Sequence, residues 1–245
     1  MGRLIAVTSG KGGVGKSSVS VHLATALGEL GHSVLLIDLD AGMRCLDIML
    51  GVSDRLLFDL DDVLRGAKTV CDAVLTAEER PGVSFLAAPL RGDIAPERLA
   101  TLLNEAGDCY DFVLLDFPAG GVGKLYSALP RYAEAFVVCN ADAVSVRDAA
   151  TVARDLEQLR LLSVRLVLNR VSFDTMRRGI TANIDEVIDR CGLRLIGVIP
   201  QSMEVYLSGC TGKPLKKNSR PQKAFSRLAR RMLGYDIPLQ SYKKI

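Results

Sequence analysis

Two lysines, two serines and three aspartates in this chain have the types and spacing that chemistry on a phosphate requires. Residues 8–18 read TSGKGGVGKSS and hold the G-x-x-x-x-G-K-[ST] pattern of a phosphate-binding loop in Gly10, Lys11, Gly12, Gly13, Val14, Gly15, Lys16 and Ser17, with Ser18 next. Glycines there let the backbone close around an anion and turn successive N–H groups inward. A helix opening directly after the loop adds the positive end of its dipole. Lys16 is placed to neutralise β- and γ-phosphates, and the Ser17 hydroxyl to ligate Mg2+.

Lys11 is a second cation where Lys16 already supplies one. It is either a solvated side chain or a group that reaches a neighbouring molecule's phosphate, supplied in trans as an arginine finger is. Asp38 and Asp40 close the apolar run SVLLIDLD, so both carboxylates start on the same side of the chain. Phosphoryl transfer needs one acid to orient the attacking water and another to help hold hydrated Mg2+. Asp116 follows the run FVLL and has the position of a Walker B carboxylate that binds Mg2+ through water. Taken alone, an aspartate ending a buried strand also suits a helix cap or a turn.

These residues need a scaffold that gathers them. Runs at 4–7, 33–37, 83–87, 112–115, 135–138, 165–168 and 195–199 are continuously apolar rather than alternating, as in strands covered on both faces. Helical patterns at 17–31, 96–106, 124–132, 145–161 and 181–192 lie between them, Gly31 serving as a C-cap. The alternation predicts a doubly wound α/β fold, a mostly parallel sheet of about seven or eight strands with helices on both faces. The motifs then sit at the carboxyl ends of parallel strands, where such sheets bind ligands. No linker or repeat divides the 245 residues, so one domain over 1–245 is expected, with a basic segment at 213–245.

Composition narrows the classes. The chain is 49% hydrophobic with a net charge of +3, enough for a large core and too little charge to imply nucleic acid by itself. Six cysteines without a C-x-x-C pair, and only two histidines, argue against a zinc or iron–sulfur site within one chain and suit buried thiols of a reducing compartment. No signal peptide or ~20-residue apolar span is present, so a cytoplasmic protein is expected.

The segment K-G-G-V-G-K-S resembles the deviant Walker A motif of the MinD/ParA ATPase family, with Lys11 at the signature lysine. The resemblance continues in IDLDAGMRCLDIMLG (37–51), LLDFPAG (114–120), SVRD (145–148), LNR (168–170) and GVIP (197–200), and so covers nearly the whole chain. It is greatest to the MinD branch, because a G-x-R-x-L-D run follows the aspartates. The resemblance implies an ATP-hydrolysing, Mg2+-dependent dimerisation switch in division-septum placement, with Lys11 crossing an ATP-sandwiched homodimer. It places Asp40 on the attacking water, Asp38 near the metal shell, Asn169 and Arg170 on the adenine side, and Pro200 along the base. It also implies a regulatory protein partner. The stretch DFPAGGVG, with its glycines and proline, reads as a second switch, a backbone N–H near Gly120 sensing the γ-phosphate. After it, Gly121-Val122-Gly123-Lys124 departs from the acidic and hydroxyl residues common in that family.

From Lys213 to Lys244 ten basic residues face one acid, Asp236. AFSRLARRMLG (224–234) is a basic amphipathic helix, with Phe225, Leu228, Met232 and Leu233 on one face. It is expected to dock on the sheet as the last helix. Its basic side leaves an anionic surface on the inner face of the cell membrane as one partner. DNA is the partner if the chain is instead a ParA-like partitioning ATPase. YDIPLQSYKKI, which Pro238 keeps from continuing as a helix, is not expected to make a separate membrane anchor. A flagellar-number regulator of the same family and a non-hydrolysing protein-binding regulator are the remaining alternatives; intact Lys11, Lys16, Asp40 and Asp116 speak against the last. Iron–sulfur and tyrosine-kinase branches do not fit, for want of a bridging cysteine and a terminal tyrosine cluster.

Overall fold

The computed structural model describes residues 2–238. Strands form at the seven continuous apolar runs and at one further short segment, β3: β1 (Arg3–Thr8), β2 (Val34–Asp38), β3 (Leu75–Thr76), β4 (Val83–Leu86), β5 (Phe112–Asp116), β6 (Glu134–Cys139), β7 (Ser163–Val171) and β8 (Arg194–Pro200). They make one sheet in the order β3-β4-β2-β5-β1-β6-β7-β8, parallel except for β3 against β4. Every residue of β2, β5 and β6 is buried, because both faces are covered.

The helices are α1 (Lys16–Glu29), α2 (Leu46–Leu50), α3 (Leu60–Leu64), α4 (Val70–Ala73), α5 (Pro96–Cys109), α6 (Ala143–Glu157), α7 (Phe173–Arg177), α8 (Ile184–Cys191), α9 (Met203–Thr211) and α10 (Arg220–Met232). Successive strand residues point to opposite layers. Leu4, Ala6, Leu35, Ile37, Val113 and Leu115 join α3, α5, α6 and α8 in one core. Ile5, Val7, Val34, Leu36, Phe112 and Leu114 join α1, α2 and α10 in the other. The parallel connections bring the carboxyl ends of β1, β2 and β5 to the same side, so Thr8, Asp38 and Asp116 share one edge.

The expected helix at 124–132 is only a 3-10 turn, Lys124–Ala128. Pro130 disfavours helical backbone at Leu129, which is extended at φ −74°, ψ 124°. The short edge strand β3 carries too few residues to stand out as a run. Cys139 and Cys191 are buried as expected, but Cys71, Cys109 and Cys210 are exposed and Cys45 is half-buried; buried thiols describe only part of the set.

The basic amphipathic segment forms the end of α10 and is docked. Phe225, Leu228, Ala229 and Met232 are buried, and a Cβ on Gly197 of β8 would lie 2.8 Å from Leu228 Cδ1, so the two backbones approach over a glycine. Leu233 is the C-cap. Arg231 turns inward and donates to the carbonyls of Ile196, Ile237 and Pro238. Tyr242, Lys243 and Lys244 of the basic segment lie outside the described residues. No helix among those described is long and apolar enough to cross a membrane.

Candidate nucleotide site

The loop between β1 and α1 is held open by its glycines. Gly13 and Gly15 have φ of +80° and +89°, conformations that side chains rarely adopt. Gly15 is the N-cap of α1 and no side chain caps this helix, so its first N–H groups remain for a ligand. Gly10 packs on the backbone of Asp148 so closely that a Cβ would stand 2.5 Å from that carbonyl. From β7, Asn169 Nδ2 donates to the Val14 carbonyl and Arg170 Nη1 to the Gly13 carbonyl, each at 2.8 Å. These two residues, expected on the base side, therefore brace the loop as well as lining a cavity behind it.

Asp116 is the hub of the charged cluster. Its Oδ2 accepts from Lys16 Nζ at 2.8 Å and from Ser17 Oγ at 2.7 Å, and its Oδ1 accepts from Ser20 Oγ at 2.6 Å. Lys16 and Asp116 are both buried, where an ion pair persists only if its remaining donors and acceptors are satisfied. Asp38 is the register partner of Asp116 on the adjacent strand. Burial pushes the Asp38 carboxyl up to about 7, against the stabilising N–H of Asp40, with the Asp116 charge adding to the rise. Asp40 N donates to Asp38 Oδ1 at 2.9 Å, and burial also raises the Asp40 carboxyl.

The oxygens of Ser17, Asp38 and Asp116 are hard donors of the kind Mg2+ takes. The Ser17 hydroxyl already meets the Asp116 carboxylate at 2.7 Å, and Asp38 is buried in register with Asp116 on the adjacent strand. The residues present fit that ion.

Lys11 stands at the rim, its side chain 44% exposed, 3.6 Å from Asp142, the N-cap of α6. It is separated from the buried cluster that holds Lys16. The Gly120 N–H, expected to sense a γ-phosphate, is donated to the Ser9 carbonyl at 2.9 Å. Behind the loop a cavity of about 580 Å3 is lined by Ser18, Met49, Asn169, Arg170, Pro200 and residues of α9 including Tyr206. Pro200 and Ser18 thus meet Asn169 and Arg170 at one wall, although 182 residues separate Ser18 from Pro200 in the chain.

Sequence reasoning passed over Ser20, Asp142, Met49 and α9. Ser20 carries a readable signal, since it lies one helical turn after Lys16 and so shares its face. Met49 and α9 carry none, because only the packing of α2 and α9 brings them to the cavity.

A glycine loop between the first strand and a helix, a carboxylate on the adjacent strand and a cavity behind define a P-loop nucleotide-binding protein. Residues 5–215 match the family described as CobQ/CobB/MinD/ParA nucleotide binding domain. The septum site-determining protein MinD of Bacillus subtilis (strain 168) is 34% identical over 247 residues, which cover 98% of this chain and 92% of that protein. Among solved structures, the MinC:MinD cell division protein complex of Aquifex aeolicus superposes with a TM-score of 0.91 at 32% identity, covering 98% of this chain and 99% of the other. The MinD of Pyrococcus horikoshii OT3, solved with Mg-ADP, gives 0.83 at 30% identity over 97% of this chain and 100% of that one. The chain belongs to the MinD/ParA family of P-loop ATPases and is most similar within it to MinD.

Proposed function

We propose that this protein is a Mg2+-dependent ATPase that works as a dimerisation switch in placing the division septum. The observation that carries the reading is the division of labour between two lysines of one loop: Lys16 is buried on Asp116, while Lys11 stands exposed at the rim. One cation serves its own site and the other is available to a second copy.

Within a protomer the N–H groups of Gly10 to Ser18 cradle the phosphates, Lys16 neutralises them, and the base enters the cavity bounded by Pro200, Asn169 and Arg170. Ser17 and Asp116 would hold Mg2+, with Asp38 beside them, and that ion supplies charge neutralisation on the phosphate oxygens. Asp40, half-buried at the mouth, orients the attacking water. Lys11 of a second copy stabilises charge developing on the transferred group. ATP therefore favours the dimer and hydrolysis returns the monomer, because the ligand binds one state better than the other.

The Bacillus subtilis and Pyrococcus horikoshii relatives are septum site-determining proteins, and the cell division protein MinD of Aquifex aeolicus was solved in complex with MinC, so a regulatory protein partner is part of the reading. The protein is cytoplasmic, and the outward basic side of α10 brings the dimer to an anionic membrane surface, two weak sites adding through effective concentration.

Sedimentation velocity and phosphate release with Mg-ATP and Mg-ADP test the switch. The wild type should dimerise with ATP only; Lys11→Ala should bind ATP but neither dimerise nor hydrolyse it, and normal behaviour of that variant would refute the trans-lysine role. Co-sedimentation with anionic vesicles and, in parallel, with duplex DNA tests the surface: ATP-dependent recovery with DNA alone would turn the reading to chromosome or plasmid partitioning.

A further inference from the structure

Arg80, in the turn between β3 and β4, is fully buried, and its three side-chain hydrogen bonds all go to uncharged oxygens. Nη1 donates to Thr25 Oγ1 on α1, and Nη2 donates to the carbonyls of Met49 and Gly212, each at 3.0 Å. Nε has no partner. Burial lowers the guanidinium to about 10, which leaves it charged at neutral pH. A buried cation bound only by neutral groups is costly and is kept only where its geometry does something the apolar core does not.

The two carbonyls identify what it does. Met49 lies in the last turn of α2, and Gly212 is the C-cap of α9. Both carbonyls belong to helix ends that lack intrahelical donors and carry partial negative charge. One guanidinium nitrogen therefore fastens two C-termini together. The backbones there are already in contact: Gly212 has φ +72°, and a Cβ on it would lie 2.6 Å from Gly51 Cα. These same helices wall the cavity behind the phosphate loop, α2 through Met49 and α9 through Met203, Val205, Tyr206, Gly209 and Cys210.

We infer that Arg80 is a positioning residue for base recognition, setting the separation of α2 and α9 and hence the width of the cavity that receives the base. The inference rests on the reading of that cavity as the base site. Arg80 does not touch the phosphate loop, so the phosphate subsite should be insensitive to it. A guanidinium that merely supported the fold would not discriminate between ligands with and without a base.

The test is titration calorimetry of the full chain with Mg-ATP and with inorganic tripolyphosphate, on the wild type, Arg80→Met, Arg80→Lys and Gly212→Ala, with circular dichroism as the check on folding. The alanine keeps the charge and wedges the two backbones apart, so Gly212→Ala and Arg80→Lys decide the matter if Arg80→Met does not fold. Expected is a loss of about tenfold or more in ATP affinity, the scale of one charged hydrogen bond, with tripolyphosphate binding unchanged within about twofold. Parallel losses for both ligands, or unchanged ATP affinity in folded variants, would overturn the inference. A wild type that binds tripolyphosphate as tightly as ATP would instead overturn the base-cavity reading beneath it.

Discussion

Lys16 and Asp40 lie at the same mouth but answer to different physics. Lys16 is the buried cation paired with Asp116, so Lys16→Ala leaves Asp116 with a buried charge held only by hydroxyls. Nucleotide binding by Lys16→Ala should fall by at least ~100-fold, on the scale of about 3 kcal/mol for breaking a buried pair, as read by titration. Asp40 is half-buried, and its carboxylate makes no bond to the loop. Asp40→Ala should therefore bind ATP within about threefold of wild type while phosphate release drops by about 100-fold or more, so that the ATP dimer accumulates in sedimentation. A drop in ATP affinity matching the drop in turnover would show that Asp40 acts in binding rather than on the water.

At the scale of elements, the loop is a close fit between β1, α1, α6 and β7. Gly15→Ala would place a Cβ 2.4 Å from Asn169 Nδ2 at a φ of +89°, so the brace from β7 must move. We expect a cost of about 1–3 kcal/mol in urea unfolding and weaker binding of tripolyphosphate as well as ATP, which separates it from changes confined to the base cavity. α10 is fixed differently, through apolar contact with β8 and α1. Leu228 is fully buried against Gly197, and Leu228→Ala should cost about 2–5 kcal/mol. If urea melts find it below about 1 kcal/mol, the helix collapses onto the gap or is less firmly docked than its burial indicates.

For the molecule as a whole, the acid side of the stability curve carries the mark of His22. Its ring lies 4.9 Å from that of Phe225, its Nε2 is unpartnered, and burial first, then the Arg80 charge, pushes it down to about 3. The folded chain holds His22 neutral while the unfolded chain protonates it near 6.5. The unfolded state thus binds the extra proton between these values, and stability is lost as pH falls below about 6.5. Relative to wild type, His22→Met should gain about 2 kcal/mol between pH 7 and pH 5, read as the difference of two urea series; parallel series would mean that the ring is solvated or paired.

Lys16, Ser17 and Asp116 were legible as a set because a phosphate loop after a strand fixes what its neighbours must be, and the strand runs that carry them are too apolar to lie anywhere but inside. The docking of α10 was legible for the same reason: Phe225, Leu228 and Met232 recur at helical spacing. The turn at Lys124–Ala128 escaped because a helical pattern over 124–132 outvoted the single conformational veto of Pro130. Ser20 was readable one helical turn after Lys16, but its bond to Asp116, the place of Asp142 beside Lys11 and that of Arg80 between Met49 and Gly212 were beyond reach, since each partner lies from 31 to 132 residues away. Local spacing therefore determined the phosphate chemistry and the order of strands and helices, which depend on short-range sterics and periodicity. Tertiary structure alone decided which distant side chains meet at the loop and how wide the cavity behind it is, because those follow from how separate elements pack against one another.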